Sequence, residues 1–309
     1  MKRTLIAGLA LALVCACVFF VLTMPQPFDA DEIPAHNADL TNGELLFWAG
    51  GCASCHAAPD AENDALLLLS GGVELPTPFG IFRSPNISPN EESGIGAWST
   101  LDFVNAMARG ISPDNEHYYP AFPYPHYQNI ILEDLVDLKA YLDTLPGSSN
   151  QVADHELDFP YSVRRGIGLW KWRYLERNVS LPGADPESPL ERGRYLVTGP
   201  GHCGACHTPR DEYGGEIMDR FLAGAESFEV AEGETAGRIP NITPHEDGIG
   251  GWRESDIAFS LETGFDPDFD TFGSSMVDVQ RNMAKLPAED RAAIAAYLKS
   301  IPAHASDTQ

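Results

Sequence analysis

The sequence contains 309 residues, with 45 acidic residues against 20 basic ones and a formal net charge of -25. This length exceeds that of a usual single domain, so two modules with separate hydrophobic cores are predicted. The negative charge repels nucleic acids and anionic lipid headgroups, which excludes nucleic-acid binding and favours cationic patches on soluble partners.

The first 28 residues form a segment of their own. Lys2 and Arg3 precede a run from Leu5 to Leu22 without a charged residue, which is about the length that a helix needs to cross a bilayer. Residues 4–24 are therefore predicted to be an uncleaved membrane anchor, with the rest of the chain on the outer side of that membrane. A cleaved signal sequence is the alternative, although residues 24–26 do not resemble a cleavage site.

Four of the six cysteines occur in two C-x-x-C-H motifs, residues 52–56 and 203–207. Two thiols three residues apart on a helical turn can form thioethers with the two vinyl groups of a haem, and the next residue then places an imidazole beneath the iron. The motifs predict two covalently bound haem c groups. The residues assigned to them are Cys52, Cys55 and His56 for the first haem, and Cys203, Cys206 and His207 for the second.

Two simpler interpretations of these cysteines fit the motifs less well. A disulfide or a redox dithiol does not require a histidine at the next position in both motifs. A histidine directly beside the second cysteine is poorly placed to bind the same zinc ion, and no further cysteine completes four-coordination. Both interpretations are weaker than haem attachment.

The two motifs lie at equivalent positions of an internal repeat. Four pairs of residues recur at offsets of 151, 155, 154 and 156 residues, and they are Cys52 with Cys203, Asn86 with Asn241, Trp98 with Trp252, and Tyr141 with Tyr297. Such self-similarity indicates the duplication of one folding unit. Each unit is expected to hold one haem.

The coarse secondary structure of each unit is helical. Three helices per unit are predicted, over residues 42–50, 100–109 and 132–145 in the first unit and 190–197, 254–263 and 288–301 in the second. The sequence shows little sustained alternation of apolar and polar residues, so an extended sheet is not expected. The fold class is therefore mainly α, with two tandem cytochrome c-like domains after the N-terminal segment. The expected boundaries are 1–28 for that segment, 29–150 and 183–309 for the domains, and 151–182 for the linker.

A family resemblance rests on four stretches, residues 85–89, 94–98, 119–124 and 199–210. Together they resemble the cytochrome c subunits of membrane-bound bacterial alcohol and gluconate dehydrogenases, over roughly residues 40 to 302. Members of that group often carry three haem motifs, whereas this chain has two. The resemblance implies a shorter, dihaem relative on the periplasmic side of the bacterial inner membrane.

The same resemblance implies electron transfer without catalysis by the chain itself. The expected donor is a membrane-bound or periplasmic dehydrogenase, and the expected acceptor is another cytochrome or an oxidase of the respiratory chain. The alternative is a dihaem enzyme of the peroxidase type, in which the first iron keeps an open coordination site.

The sequence predicts different sixth ligands for the two irons. Residues 272–276 resemble the family loop that supplies a distal methionine, so Met276 is predicted to bind the second iron, with Met283 as its rival. In the first unit Ile130 stands near the position where relatives have methionine. His126 is predicted to bind the first iron, and the alternatives are His117, Met107 or an open site.

A basic and aromatic stretch lies between the units. It contains Arg164, Arg165, Lys171, Arg173 and Arg177, interleaved with Trp170, Trp172 and Tyr174. Cations of this kind suit haem propionates at a domain interface, and the same composition suits a membrane surface. The sequence leaves both roles open.

Overall fold

The computed structural model describes residues 2–175, 188–227 and 237–306. The first helix is α1 (Lys2–Leu22), whose residues are exposed except for Phe19, which is half-buried. Among the described residues it is the one helix that is long and apolar enough to cross a membrane. An exposed apolar helix of this length needs an apolar environment other than the protein's own core.

Short helices and long loops build the first unit. The helices are α2 (Leu40–Ala49), α3 (Cys52–His56), α4 (Thr100–Val104), which continues as a wide turn over Asn105–Arg109, α5 (Tyr124–Tyr127) and α6 (Leu132–Leu142). Asp39 begins α2 by accepting hydrogen bonds from the backbone N–H groups of Thr41 and Asn42. Ser99 and Asp102 form a capping box at α4. These side chains satisfy N–H groups that a helix leaves unpaired at its start.

In its described part, residues 151–175, the linker contributes a strand to a sheet and a helix beside α1. The strands β1 (Glu74–Thr77), β2 (Gly80–Arg83) and β3 (Glu156–Leu157) form an antiparallel sheet in that order, so the linker adds its strand to a hairpin of the first unit. The helix α7 (Ile167–Tyr174) follows and contacts the end of α1.

The second unit repeats the arrangement of the first. Its helices are α8 (Pro189–Thr198), α9 (Gly204–His207), α10 (Glu254–Thr263), α11 (Met276–Met283) and α12 (Ala288–Ser300). The strands β4 (Ala225–Glu226) and β5 (Arg238–Ile239) form a small antiparallel pair.

The first and last helices of each unit cross at a glycine. A Cβ atom on Gly43 would collide with the backbone of Asp137 and with Tyr141, and one on Gly193 would collide with the backbone of Ala293 and with Tyr297. Glycine therefore allows α2 to pack on α6, and α8 on α12, closer than any other residue permits. The same contact recurs at equivalent positions, as a duplicated folding unit would require.

The fold agrees with the prediction of a mainly helical chain. Sequence patterning located the three main helices of each unit but overlooked α5, α7 and α11 and the two small sheets. These elements are short, and their neighbours in space rather than their local sequence stabilise them. The expected boundary between residues 182 and 183 lies outside the described residues.

Candidate haem sites

Each C-x-x-C-H motif forms a short helix. Gly51 takes a left-handed conformation (φ 59°) and starts α3, so that Cys52 and Cys55 lie one turn apart on the same side. In the second motif Cys203 begins α9 with helical backbone angles. Residues three apart on a helix are neighbours, so both pairs of thiols can reach one ligand.

The motif histidines are oriented by a backbone carbonyl from a distant loop. The Nδ1–H group of His56 donates to the carbonyl oxygen of Pro85 at 2.8 Å, and that of His207 donates to Pro240 at 2.8 Å. Burial lowers the pKa of both imidazoles, although the hydrogen bonds oppose this shift. With Nδ1 carrying the proton, the Nε2 lone pair is the atom available to a metal. The residues present therefore fit a covalently attached haem.

Buried asparagines hold the loops that supply these carbonyls. Asn86 donates to the carbonyl oxygens of Ser148 and Asn150 at 2.8 and 2.9 Å, and its own oxygen accepts from the backbone N–H of Ser88 at 2.9 Å. Asn241 donates to the carbonyl of His304 at 2.6 Å in the same way. Each asparagine therefore ties the carbonyl beside it to the end of its unit.

The sequence showed these asparagines as a repeated motif but did not reveal their role. The signal that could have found it is the recurrence of Pro-Asn-Ile at residues 85–87 and 240–242, downstream of each motif histidine. A repeated proline that precedes a buried asparagine indicates a loop of fixed geometry.

Both motifs lie at the interface of the units. Asn282 of α11 donates to the hydroxyl of Ser54, inside the first motif, at 2.7 Å. The rings of Tyr127 and His202 are 5.4 Å apart, and His202 precedes the second motif directly. The carbonyl of Pro200 approaches Gly50 in the same region. Neither motif faces its own unit alone.

The two methionines of the second unit lie at opposite ends of α11. Met276 is its first residue and is partly buried, whereas Met283 is buried in the core with 4% of its surface exposed. Met283 reaches toward Gly201, just before the second motif. The assignment of Met276 to the second iron stays a prediction, and the core position of Met283 agrees with a packing role.

His126 lies against the second motif. Its Nε2–H group donates to Oε1 of Glu216 at 2.8 Å, and a Cβ atom on Gly204 would lie 2.8 Å from its ring. Burial would raise the pKa of Glu216, yet the hydrogen bond from His126 and the charge of Arg210 hold it below its usual value. This position weighs against His126 as the sixth ligand of the first iron, an assignment that stays a prediction without structural support.

The other candidates of the first unit are also engaged elsewhere. His117 is buried and its Nε2–H group donates to the carbonyl of Thr23, at the end of α1, at 2.9 Å. Met107 lies in the hydrophobic core with 7% of its surface exposed. Of the candidates that the sequence proposed, Met107 is the one that packs in the core of the first unit.

The basic linker contacts the anchor. Arg165 donates to the hydroxyl of Thr23 at 2.9 Å and to the carbonyl of Phe20 at 3.0 Å. Arg164 stacks on the ring of Tyr119, 5.0 Å from its centroid. Of the two roles that the composition left open, these contacts favour the membrane surface. Arg177 lies outside the described residues.

Comparison with known proteins gives several matches. A family model described as Cytochrome c matches residues 40–146. The chain is 48% identical over 303 residues to a protein named dihaem cytochrome c-type from Cereibacter sphaeroides, which covers 98% of this chain and 99% of that relative. It is 33% identical to the fructose dehydrogenase cytochrome subunit of Gluconobacter japonicus and to the gluconate 2-dehydrogenase cytochrome c subunit of Pantoea cypripedii, over 92% and 87% of this chain.

The extent of these matches differs. The chain spans 57% and 61% of the two dehydrogenase subunits, which are therefore longer proteins. The resemblance predicted from the sequence motifs is confirmed by these relatives. They do not favour the alternative of a peroxidase-like enzyme.

Proposed function

Because the chain belongs to the family of dihaem c-type cytochromes, we propose that it relays electrons from a partner dehydrogenase to the respiratory chain. It is an electron-transfer protein with two covalently bound haem c groups, as its two motifs predicted. The donor is a membrane-bound or periplasmic dehydrogenase, a proposal supported by two relatives that are named as cytochrome subunits of dehydrogenases. The acceptor is another cytochrome or an oxidase.

The residues of each motif have separate tasks in this proposal. Cys52 and Cys55, and likewise their counterparts in the second motif, hold the cofactor through thioethers, while His56 and His207 bind iron through Nε2. Haem iron supplies the one-electron redox chemistry, which the protein tunes through axial ligation, burial and charge. Met276 is proposed as the sixth ligand of the second iron, and a thioether ligand raises its reduction potential.

The observation that carries the proposal is that each motif contacts the other unit, at Ser54 with Asn282 and at Gly204 with His126. Asn282 bonds Ser54, and Tyr127 packs on His202, so one interface holds both redox sites. An enzyme would need a pocket for its substrate, whereas an electron relay needs redox centres that are held in fixed positions near each other. The interface provides this rigidity because its contacts include a hydrogen bond from a buried side chain.

We also propose that α1 stays attached and anchors the chain on the periplasmic side of the inner membrane. Lys2 and Arg3 precede the helix, as the positive-inside rule requires for a cytoplasmic N-terminus. At the other end of α1, Arg165 donates to the carbonyl of Phe20 in the last turn, and His117 donates to the carbonyl of Thr23 directly after it. A segment destined for removal would leave these two buried or half-buried donors without acceptors.

The relay is tested in membranes that contain or lack the chain. Alcohols, gluconate and fructose are added in turn, and haem c reduction and oxygen uptake are recorded together. We expect one substrate to reduce both haems and to drive oxygen uptake, and a Cys206→Ser variant to lose that uptake. Reduction by none of the three substrates, or uptake that is the same without the chain, would count against the proposed partner class.

A further inference from the structure

A cavity of about 190 Å³ lies where the anchor meets the first unit. Three basic side chains line it, those of Arg109, His117 and Lys171, although the chain as a whole carries a net charge of -25. Its remaining wall includes the apolar residues Leu22 and Trp172. Basic groups beside an apolar wall at the end of a membrane helix are the composition of a lipid headgroup site.

The contacts around the cavity hold it at the membrane boundary. Gly168 lets α7 approach the backbone of Thr23 so closely that a Cβ atom there would lie 2.6 Å from the Cα atom of Thr23. Phe28, six residues beyond α1, pairs its backbone N–H with the side chain of Asn105 at 2.6 Å. The ring of Phe28 also lies under the guanidinium of Arg109, at 4.1 Å. These contacts hold the end of α1 and the residues after it against the first unit, and the cavity lies between α1 and that unit.

Two polar atoms of the lining residues are buried without a partner, Nε of Arg109 and Nδ1 of His117. Such atoms are rare in native structures, and each one calls for a missing partner. The Nε–H group of Arg109 is a donor. Burial lowers the pKa of His117, and its Nε2 proton is used by Thr23, so Nδ1 is an acceptor. Two residues of the lining thus carry an unpaired donor and an unpaired acceptor, and both atoms are shielded from water.

The charges that face the cavity favour an anion. Lys171 donates to the carbonyls of Arg109 and Gly110 at 2.7 and 2.6 Å, which uses two of its three N–H groups. Glu32 is the acidic group of the lining, and it is exposed and accepts from the backbone N–H of Asp29 at 2.8 Å. Burial lowers the pKa of Lys171 to about 7, so Arg109 supplies most of the positive charge at neutral pH. Burial also lowers the pKa of Arg109, and Glu32 lies close enough to oppose that shift, but its own side chain is exposed at the edge of the cavity.

We propose that this cavity binds the headgroup of an anionic phospholipid, with its phosphodiester against Arg109 and a headgroup hydroxyl against His117. The proposal rests on α1 being retained as the anchor. A phosphodiester is the acceptor that an arginine donor prefers, and a glycerol hydroxyl supplies the donor that Nδ1 lacks. The acyl chains lie along the exposed apolar surface of α1.

The full-length holoprotein tests the proposal. It is purified in detergent, stripped of lipid, and offered phosphatidylglycerol or phosphatidylcholine, and retained lipid is counted by native mass spectrometry. We expect phosphatidylglycerol to be retained and phosphatidylcholine, which has no net charge and no hydroxyl, to be lost. Arg109→Gln weakens the retention about tenfold or more. Arg253→Gln, on an exposed side chain of the second unit, leaves it unchanged.

Further variants and measurements distinguish the possible outcomes of this experiment. The haem spectrum and the thermal midpoint report whether Arg109→Gln folds, and Arg109→Lys, which keeps the cation, retains more lipid than the glutamine variant. Equal retention of the two lipids by the natural chain would overturn the proposal. Stabilisation by inorganic phosphate alone, equal to that by lipid, would assign the site to free phosphate instead. The intact mass reports independently whether α1 is present, so a cleaved anchor is distinguished from a failed lipid site.

Discussion

The imidazole of His56 is oriented by Pro85, whose carbonyl oxygen lies 2.8 Å from Nδ1, and the imidazole of His207 stands in the same relation to Pro240. The partners are 29 and 33 residues apart in sequence, so a loop outside each motif sets the direction in which Nε2 points. A hydrogen bond from Nδ1 also makes the imidazole a stronger electron donor to a metal. The loops therefore share control of both geometry and reduction potential.

The asparagines behind these carbonyls give the first prediction. Asn241→Ala removes the hydrogen bonds to His304 and Thr243, which we expect to destabilise the protein by about 1–3 kcal/mol. The loosened loop weakens the bond to His207, so the potential of the second haem rises. Redox titration should show this shift at one haem. Asn86→Ala is the matched control and should shift the first haem instead; equal shifts of both haems in either variant would contradict the prediction.

The sixth ligand of the second iron gives another prediction. Met276→Leu removes the thioether, so the ferric protein should lose its sulfur-to-iron absorption band and the potential of the second haem should fall. Met283→Leu is the control, because a volume-conserving change in the core costs less than about 1.5 kcal/mol and leaves the spectrum intact. The reverse result, with the band lost only in Met283→Leu, would transfer the ligand role to Met283.

The helix crossing of the second unit predicts that alanine variants at two glycines differ in stability. Gly193→Ala places a Cβ atom against the backbone of Ala293, and overpacking of this kind costs about 1–3 kcal/mol. Gly251→Ala meets no atom within 4 Å and should stay within about 0.5 kcal/mol. Urea unfolding of the holoprotein measures both. Equal midpoints for the two variants would show that α8 and α12 do not need this close approach.

The interface histidine gives a prediction on pH. Burial lowers the pKa of His202 to about 4, from an ordinary value of 6.5. Between these values the unfolded chain binds a proton that the folded chain does not, so the free energy of unfolding falls as pH drops below 6.5. The loss should be on the order of 2 kcal/mol at pH 5.

His202→Asn tests this dependence. Asparagine keeps a donor for the carbonyl of Pro200 and tolerates the left-handed backbone at this position (φ 36°). Urea unfolding at pH 7.5 and pH 5 should show a smaller difference for the variant than for the natural chain. Identical pH slopes would mean that other groups carry the acid sensitivity.

The net charge gives a kinetic prediction. A chain with a charge of -25 attracts a basic soluble cytochrome, so the rate of electron transfer to it should fall as ionic strength rises. Stopped-flow oxidation measures this rate. With ferricyanide, a small anion, the slope should have the opposite sign, because salt then screens a repulsion. A flat dependence with the basic cytochrome would count against electrostatic steering.

The sequence alone determined those features whose chemistry is local. The two C-x-x-C-H motifs predicted two haem c groups because their spacing suits thioether formation on one helical turn. The repeat of Asn86 as Asn241 and of Gly43 as Gly193 pointed to a duplicated unit, and capping residues such as Ser99 located helix ends. In each case the residue types and their spacing carry the information without any knowledge of how the chain folds.

Only the tertiary structure decided where the candidate ligands and the linker lie. His126 pairs with Glu216, 90 residues away, and His117 with Thr23, 94 residues away. A buried histidine takes whatever acceptor the packed chain brings to it, and such long-range pairing leaves no periodic signal in the sequence. The same packing placed each motif against the other unit and formed the cavity beside the anchor, since both depend on how separate elements meet.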